Sequence, residues 1–89
     1  MNPDQAIMDM KVQLEALYPD LQLLGSGRGK FVLVTNVLRA VEISVAENDT
    51  GWFVELWHKG DTGDDELSDE GVVELREEAI KRICSWLNG

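Results

Sequence analysis

The chain has few cysteines and no long apolar run, and each shortage excludes a class of protein. Its 89 residues include one cysteine, Cys84, so it cannot form an internal disulfide or a zinc site built from several cysteines. We therefore expect a reducing compartment. No segment approaches the roughly 18 consecutive apolar residues of a membrane-spanning helix. The first ten residues have neither a basic start nor a continuous apolar stretch, so we expect no secretory signal and a cytoplasmic protein.

Basic side chains are also scarce, and this shortage restricts the partners that the protein can bind. Eight lysines and arginines stand against 17 aspartates and glutamates, which gives a net charge of −9 and an isoelectric point near 4.3. A nucleic-acid binder neutralises phosphates with basic side chains, and anionic membranes attract the same groups. We therefore expect the protein to bind neither nucleic acid nor membranes.

The rest of the composition is that of an ordinary globular protein. Apolar residues make up 44% of the chain and charged residues 28%. A chain of this length can bury one hydrophobic core but not two. We predict a single α+β domain over residues 1–89.

A helix is predicted near each end of the chain. Asn2 is a good helix cap, and the proline after it suits the first helical position. Apolar residues then recur at helical spacing, which predicts a helix over residues 3–17. Near the other end, Ser68 or Asp69 is a candidate cap, and the apolar pattern after it predicts a helix over residues 69–87.

Three segments between the helices are predicted to be β-strands. Residues 31–35 are rich in β-branched and aromatic side chains, while residues 40–46 and 52–58 alternate between apolar and polar side chains. Residues 48–51 have the Asn, Asp and Gly composition of a hairpin turn. Residues 21–24 are a candidate short edge strand, which brings the predicted sheet to three or four strands.

Two amphipathic helices need one apolar surface to cover, and the predicted sheet offers one. We predict a two-layer α+β sandwich, in which an antiparallel sheet of three to four strands carries both helices on one face, in the order α-β-β-β-α. Strand alternation assigns Trp52, Val54 and Leu56 to the helix-covered face and leaves Phe53 and Trp57 on the open face. The alternative is the reverse assignment, with Trp52 exposed.

The acidic residues are concentrated between Lys59 and Gly71. This segment has six acidic side chains and one lysine, and it lacks the glycine and the bidentate glutamate that an EF-hand calcium loop requires. We predict that residues 60–68 form a mobile, exposed loop whose field attracts a basic partner. The alternatives are a weak divalent-metal site within residues 61–70 and a loop that only keeps the protein soluble. The candidate partner-binding residues are Asp61, Asp64, Asp65 and Glu66.

No catalytic pattern is present in the sequence. The glycine-rich segment 25–30 does not match a phosphate-binding loop, because its spacing is wrong and a strand rather than a helix follows. His58 and Cys84 are single residues without a surrounding signature of nucleophilic catalysis. We therefore predict a non-enzymatic protein that uses no cofactor.

The strand over residues 52–58 provides the remaining candidate site. Phe53 and Trp57 lie on its open face with Glu55 between them, and aromatic side chains on an open sheet face are typical of protein interfaces. We predict an accessory, inhibitor or immunity-like module that binds a partner with a basic surface through this face and the acidic loop. A homodimer through the same face is the alternative assembly.

Overall fold

The described part of the chain forms two α-helices and five β-strands. A computed structural model describes residues 2–47 and 50–89, and the side chain of Arg28 lies outside this description. In chain order the elements are α1 (Pro3–Glu15), β1 (Gln22–Leu24), β2 (Phe31–Thr35), β3 (Arg39–Val45), β4 (Trp52–His58), β5 (Glu66–Val73) and α2 (Arg76–Asn88). Neither helix is long and apolar enough to cross a membrane, among the residues described.

The N-terminal helix begins where the sequence predicts. The Asn2 side-chain oxygen accepts hydrogen bonds from the backbone N–H of Asp4 at 3.0 Å and of Gln5 at 3.4 Å, so it satisfies donors that have no partner within the helix. The helix ends at Glu15, short of the predicted residue 17. Leu17 is consequently exposed rather than part of the buried stripe.

The sheet is antiparallel throughout, in the order β1-β2-β3-β4-β5. The strands predicted over residues 31–35, 40–46 and 52–58 correspond to β2, β3 and β4, and the short edge strand predicted over residues 21–24 is β1. The predicted turn at 48–51 includes residues 48 and 49, which lie outside the described residues.

The fifth strand corrects the prediction for the C-terminal part of the chain. Residues Glu66–Val73 form a strand that pairs with β4, so a helix starting at residue 69 is wrong, and the predicted caps Ser68 and Asp69 lie within β5. Gly71 costs about 1 kcal/mol inside a helix, and the two valines after it favour a strand. The helix α2 therefore begins only at Arg76.

Both helices pack on one face of the sheet. Side chains of this face and of the helices form one hydrophobic cluster, in which the exposed fraction is between 0% and 8%. Trp52, Val54 and Leu56 belong to this cluster, so the predicted assignment of the sheet faces is confirmed and the reverse assignment is wrong. The helical members of the cluster are Ala6, Ile7, Met10, Leu14, Ala79, Ile83 and Leu87.

The turn between β2 and β3 holds the C-terminal end of α2. Arg39 donates from Nη1 to the carbonyl oxygen of Trp86 at 2.7 Å, and Asn36 donates from Nδ2 to the carbonyl oxygen of Leu87 at 2.7 Å. The Arg39 guanidinium also lies 4.3 Å from the centroid of the Trp86 ring. These contacts satisfy helix carbonyls that lack partners within the helix and place a cation at the negative end of its dipole.

Candidate functional site

The candidate site is the face of the sheet turned away from both helices, which we call the open face. Its side chains alternate along each strand with the buried ones, and most of them are half-buried or exposed. The open face thus combines apolar and acidic groups. Its members include Phe31, Leu33, Ala40, Glu42, Ser44, Phe53, Glu55, Trp57, Leu67, Glu70 and Val72.

Phe53, Glu55 and Trp57 occupy the places that the sequence predicts for them. All three are half-buried, and neither aromatic ring belongs to the hydrophobic cluster under the helices. Phe53 pairs with Val72 of β5, and Trp57 pairs with Ala40 of β3. Phe53 and Val72 therefore form an apolar row over β4 and β5, which ends at Ser44 of β3, and Trp57 forms a second one with Ala40 and Leu67.

Between these two apolar rows lies a row of three glutamates. Glu55 of β4 is directly opposite Glu42 of β3 on one side and Glu70 of β5 on the other. Neighbouring strands are about 4.8 Å apart, so the three side chains are close neighbours. Within the described part of the chain, no lysine, arginine or histidine forms an ion pair with any of these carboxylates. We call Glu42, Glu55 and Glu70 the glutamate row.

The glutamate row changes the acidity of its middle member. Burial raises the pKa of the Glu55 carboxyl above its ordinary value, and the negative charges of Glu42 and Glu70 raise this pKa further. Like charges directly opposite each other on neighbouring strands destabilise a sheet. The folded protein therefore keeps three carboxylates that repel one another at the centre of the open face.

A pocket of about 360 Å³ lies on the helix side near Trp52, whereas a smaller pocket of about 210 Å³ opens on the open face beside Trp57. The smaller pocket is lined by Leu33, Ala40, Glu42, Trp57 and Asp65. The indole Nε1 of Trp57 is buried and has no hydrogen-bond partner among the described residues. This pocket combines an aromatic ring, apolar walls and two carboxylates, which is a suitable environment for a cationic side chain.

The predicted acidic loop is shorter than the sequence suggests, because residues 66–68 belong to β5. The remaining residues, 60–65, form a compact turn. A β-carbon at Gly60 would collide with the carbonyl oxygen of Asp64, and the Gly60 N–H donates to the Asp65 carboxylate at 3.2 Å. This close approach explains why a glycine stands at the start of the turn.

The four predicted acidic residues have different positions. Asp65 lines the pocket beside Trp57, whereas Asp61 and Asp64 lie in the exposed turn and do not line it. Glu66 pairs with His58, whose ring lies on the helix side, 4.8 Å from the ring of Trp86. The structure therefore brings only Asp65 together with Trp57.

The remaining chemical candidates are separate from the open face. His58 contacts Trp86, while Cys84 lies beside Tyr18 near the ends of the two helices. Across residues 2–47 and 50–89, no three His, Cys, Asp or Glu side chains are grouped so that they could hold a metal ion. The divalent-metal site weighed from the sequence stays a prediction.

Known proteins offer no template for this site. Comparison of the chain with protein-family models, with curated proteins and with solved structures finds no match.

Sequence reasoning missed two members of the glutamate row as site residues. Glu42 is not among the residues that the sequence singles out, and Glu70 falls within the helix predicted over residues 69–87. The signal for Glu70 is Gly71 followed by two valines, which favours a strand over a helix. Once β5 is a strand, its register with β4 places Glu70 next to Glu55.

Proposed function

We propose that this protein is a non-enzymatic binding module that holds a protein partner with a basic surface against the open face. It would act as an accessory, inhibitor or immunity-like protein. The observation that carries the proposal is the glutamate row, three carboxylates without an ion-pair partner among the described residues, set between two apolar rows on a sheet face that neither helix covers.

The apolar rows supply the contact area for such a partner. Phe53 and Trp57 are half-buried, and Val72 beside Phe53 is 59% exposed. Burial of apolar surface is worth about 25 cal/mol per Å² before the costs of association are subtracted. Aromatic side chains at the centre of an interface often provide most of the binding energy.

The charge of the molecule selects the sign of the partner. The net charge of −9 attracts basic proteins over a distance and accelerates their encounter. At the open face, a cationic side chain that approaches Glu55 would relieve the repulsion between three neighbouring carboxylates. Asp65 and Glu42 provide a second acidic contact in the pocket beside Trp57.

A second copy of the chain is a poorer partner for the centre of this face. A symmetric dimer is made from the same patch on both subunits. If its two-fold axis passed through Glu55, two glutamate rows would face each other. We therefore favour a different, basic protein over the homodimer.

Affinity capture from a lysate of the natural host tests the proposal with two matched valine variants. Val72 on the open face is 59% exposed, and Val12 on α1 is 63% exposed, so replacing either with serine removes a similar exposed side chain. Val72→Ser and Phe53→Ser should weaken capture of a basic partner several-fold, and Val12→Ser should leave capture unchanged. Raising the salt concentration from about 0.05 M to about 0.3 M should weaken capture further.

Circular dichroism of each variant checks that the fold is intact. If folded Phe53→Ser and Val72→Ser capture as much partner as the wild type, the open face is not the binding surface. An acidic or nucleic-acid partner would also contradict the proposal.

A further inference from the structure

The glutamate row has a spacing that a partner can match. Its three residues lie on adjacent strands in register, so they follow each other across the sheet at intervals of about 4.8 Å. The first and third members are therefore about 10 Å apart. The row runs across the strands rather than along them.

An α-helix carries side chains at nearly the same intervals. Its rise is about 1.5 Å per residue, so positions i, i+3 and i+7 lie about 0, 4.5 and 10.5 Å along its axis and on one side of it. Side chains on one face of a β-strand recur at about 6.7 Å, and a third one lies about 13 Å from the first. A helix laid across the strands therefore matches the glutamate row better than a single strand does.

Apolar residues lie on both sides of the glutamate row, where the two sides of such a helix would contact the sheet. Phe53 and Val72 lie on one side of the row, and Ala40, Trp57 and Leu67 lie on the other. Residues on one face of a strand are about 6.7 Å apart, so the two apolar rows are about 13 Å from each other, slightly more than the diameter of a helix of about 10–12 Å. Side chains that project from the two flanks of the helix can therefore contact both rows. The best complement is a basic stripe inside an apolar helix face.

Building on the proposed function, we propose that the partner docks through an α-helix with lysines or arginines at positions i, i+3 and i+7 of an otherwise apolar face. This helix lies across β3, β4 and β5, and its basic stripe pairs with Glu42, Glu55 and Glu70. Its apolar side chains contact Phe53 and Trp57. The glutamate row is then the specificity-determining part of the open face.

Two synthetic peptides of about 20 residues, long enough to form a helix, test this inference. They have the same composition, but one carries lysines at i, i+3 and i+7 of an apolar face and the other carries them at i, i+5 and i+10, which point to three different sides of the helix. Each peptide is titrated into the isotope-labelled protein and followed by amide chemical shifts. The first peptide should bind at least about tenfold more tightly, with the largest shifts at residues 42, 55 and 70 and their neighbours.

A pair of charge-matched variants separates contact from general attraction. Glu55→Gln and Glu47→Gln each remove one negative charge, but Glu47 is exposed and lies beyond the end of β3, outside the glutamate row. Glu55→Gln should weaken the first peptide about fivefold, the effect of one ion pair worth about 1 kcal/mol. Glu47→Gln should leave its affinity nearly unchanged.

The inference is overturned if the two peptides bind equally or if neither binds. It is also overturned if Glu55→Gln and Glu47→Gln have equal effects, or if the chemical-shift changes are confined to the acidic turn at residues 60–65. The proposed function is tested independently of this inference. Phe53→Ser and Val72→Ser can weaken capture of the natural partner even if the peptides show that the partner does not dock through a basic helix.

Discussion

At the scale of single residues, the protein keeps interactions that do not favour its own stability. Glu55 lies between Glu42 and Glu70, and no cation among the described residues neutralises the three carboxylates. Trp57 has a buried indole nitrogen without a hydrogen-bond partner in that same part of the chain. An unpaired buried donor and like charges on neighbouring strands both cost free energy. A cationic side chain of a partner would neutralise the repulsion between the carboxylates, and this part of the cost is typical of a binding site.

Replacing Glu55 with glutamine should stabilise the protein near pH 7. The change removes two like-charge contacts, each worth up to about 1 kcal/mol, so the free energy of unfolding should rise by roughly 0.5–1 kcal/mol. Urea unfolding of Glu55→Gln and of the control Glu47→Gln measures the difference. A loss of stability in Glu55→Gln but not in the control would contradict the repulsion that we describe.

The same variant should have little effect at low pH. Because the pKa of Glu55 is raised in the folded protein, the folded state keeps a proton that the unfolded chain has already lost. The stability that the protonated Glu55 carboxyl contributes is therefore fully present below the ordinary pKa of glutamate, and it is lost as the pH rises through the raised pKa. The gain from Glu55→Gln should shrink between about pH 7 and about pH 4, and a gain independent of pH would argue against this cause.

Tyr18, the only tyrosine of the chain, should titrate late. Burial, followed by a hydrogen bond and an electrostatic interaction with Cys84, raises its pKa from 10.0 to about 12. Tyrosinate absorbance should therefore appear near pH 12 in the folded protein and near pH 10 in denaturant. The stability that depends on this neutral hydroxyl is lost as the pH rises between these values. Equal titration of folded and unfolded chains would show that Tyr18 is not buried beside Cys84.

At the scale of elements, contacts far apart in sequence decide how α2 is held. Its last turn contains no basic residue, and Arg39 of β3 occupies the position next to its carbonyl groups. Asn36 holds the adjacent carbonyl and also accepts the backbone N–H groups of Leu38 and Arg39. The β2–β3 turn and the end of α2 therefore stabilise each other.

Replacing Arg39 with methionine should cost about 1–2 kcal/mol of the free energy of unfolding. Methionine keeps much of the aliphatic stem but loses the hydrogen bond to Trp86 and the favourable charge at the helix end. Lys81→Met is the control, because Lys81 is an exposed cation on α2, the helix whose end Arg39 contacts. Equal urea midpoints for the two variants would mean that Arg39 contributes no more than any surface cation.

The elements that the sequence predicts well have strong local patterns. The Asn2 cap, the stripe of Ile7, Met10 and Leu14, and the alternation in β4 follow from short segments alone. The strand β5 does not, because its acidic first half is typical of a loop and Val72 and Val73 also fit a helical stripe. Its identity depends on pairing with β4, which is a contact between distant parts of the chain. The glutamate row was missed for the same reason, since it requires the register of three strands.

At the scale of the whole molecule, the two faces of the sheet differ in composition. One face and the two helices form the hydrophobic cluster, and the other face carries the aromatic rings and the glutamate row. The net charge of −9 and the acidic turn beside Trp57 add a long-range attraction for a basic protein. Stability and the proposed binding are thus separated between opposite sides of one sheet.

The most direct test follows the three tryptophans of the chain by fluorine NMR. After incorporation of fluorotryptophan and assignment with single Trp→Phe variants, the captured partner is added to the labelled protein. Trp57 lies on the open face, whereas Trp52 and Trp86 pack on the helix side. We expect the Trp57 signal to shift or broaden while the signals of Trp52 and Trp86 remain in place. An unchanged Trp57 signal with a clear shift of Trp52 or Trp86 would contradict this expectation.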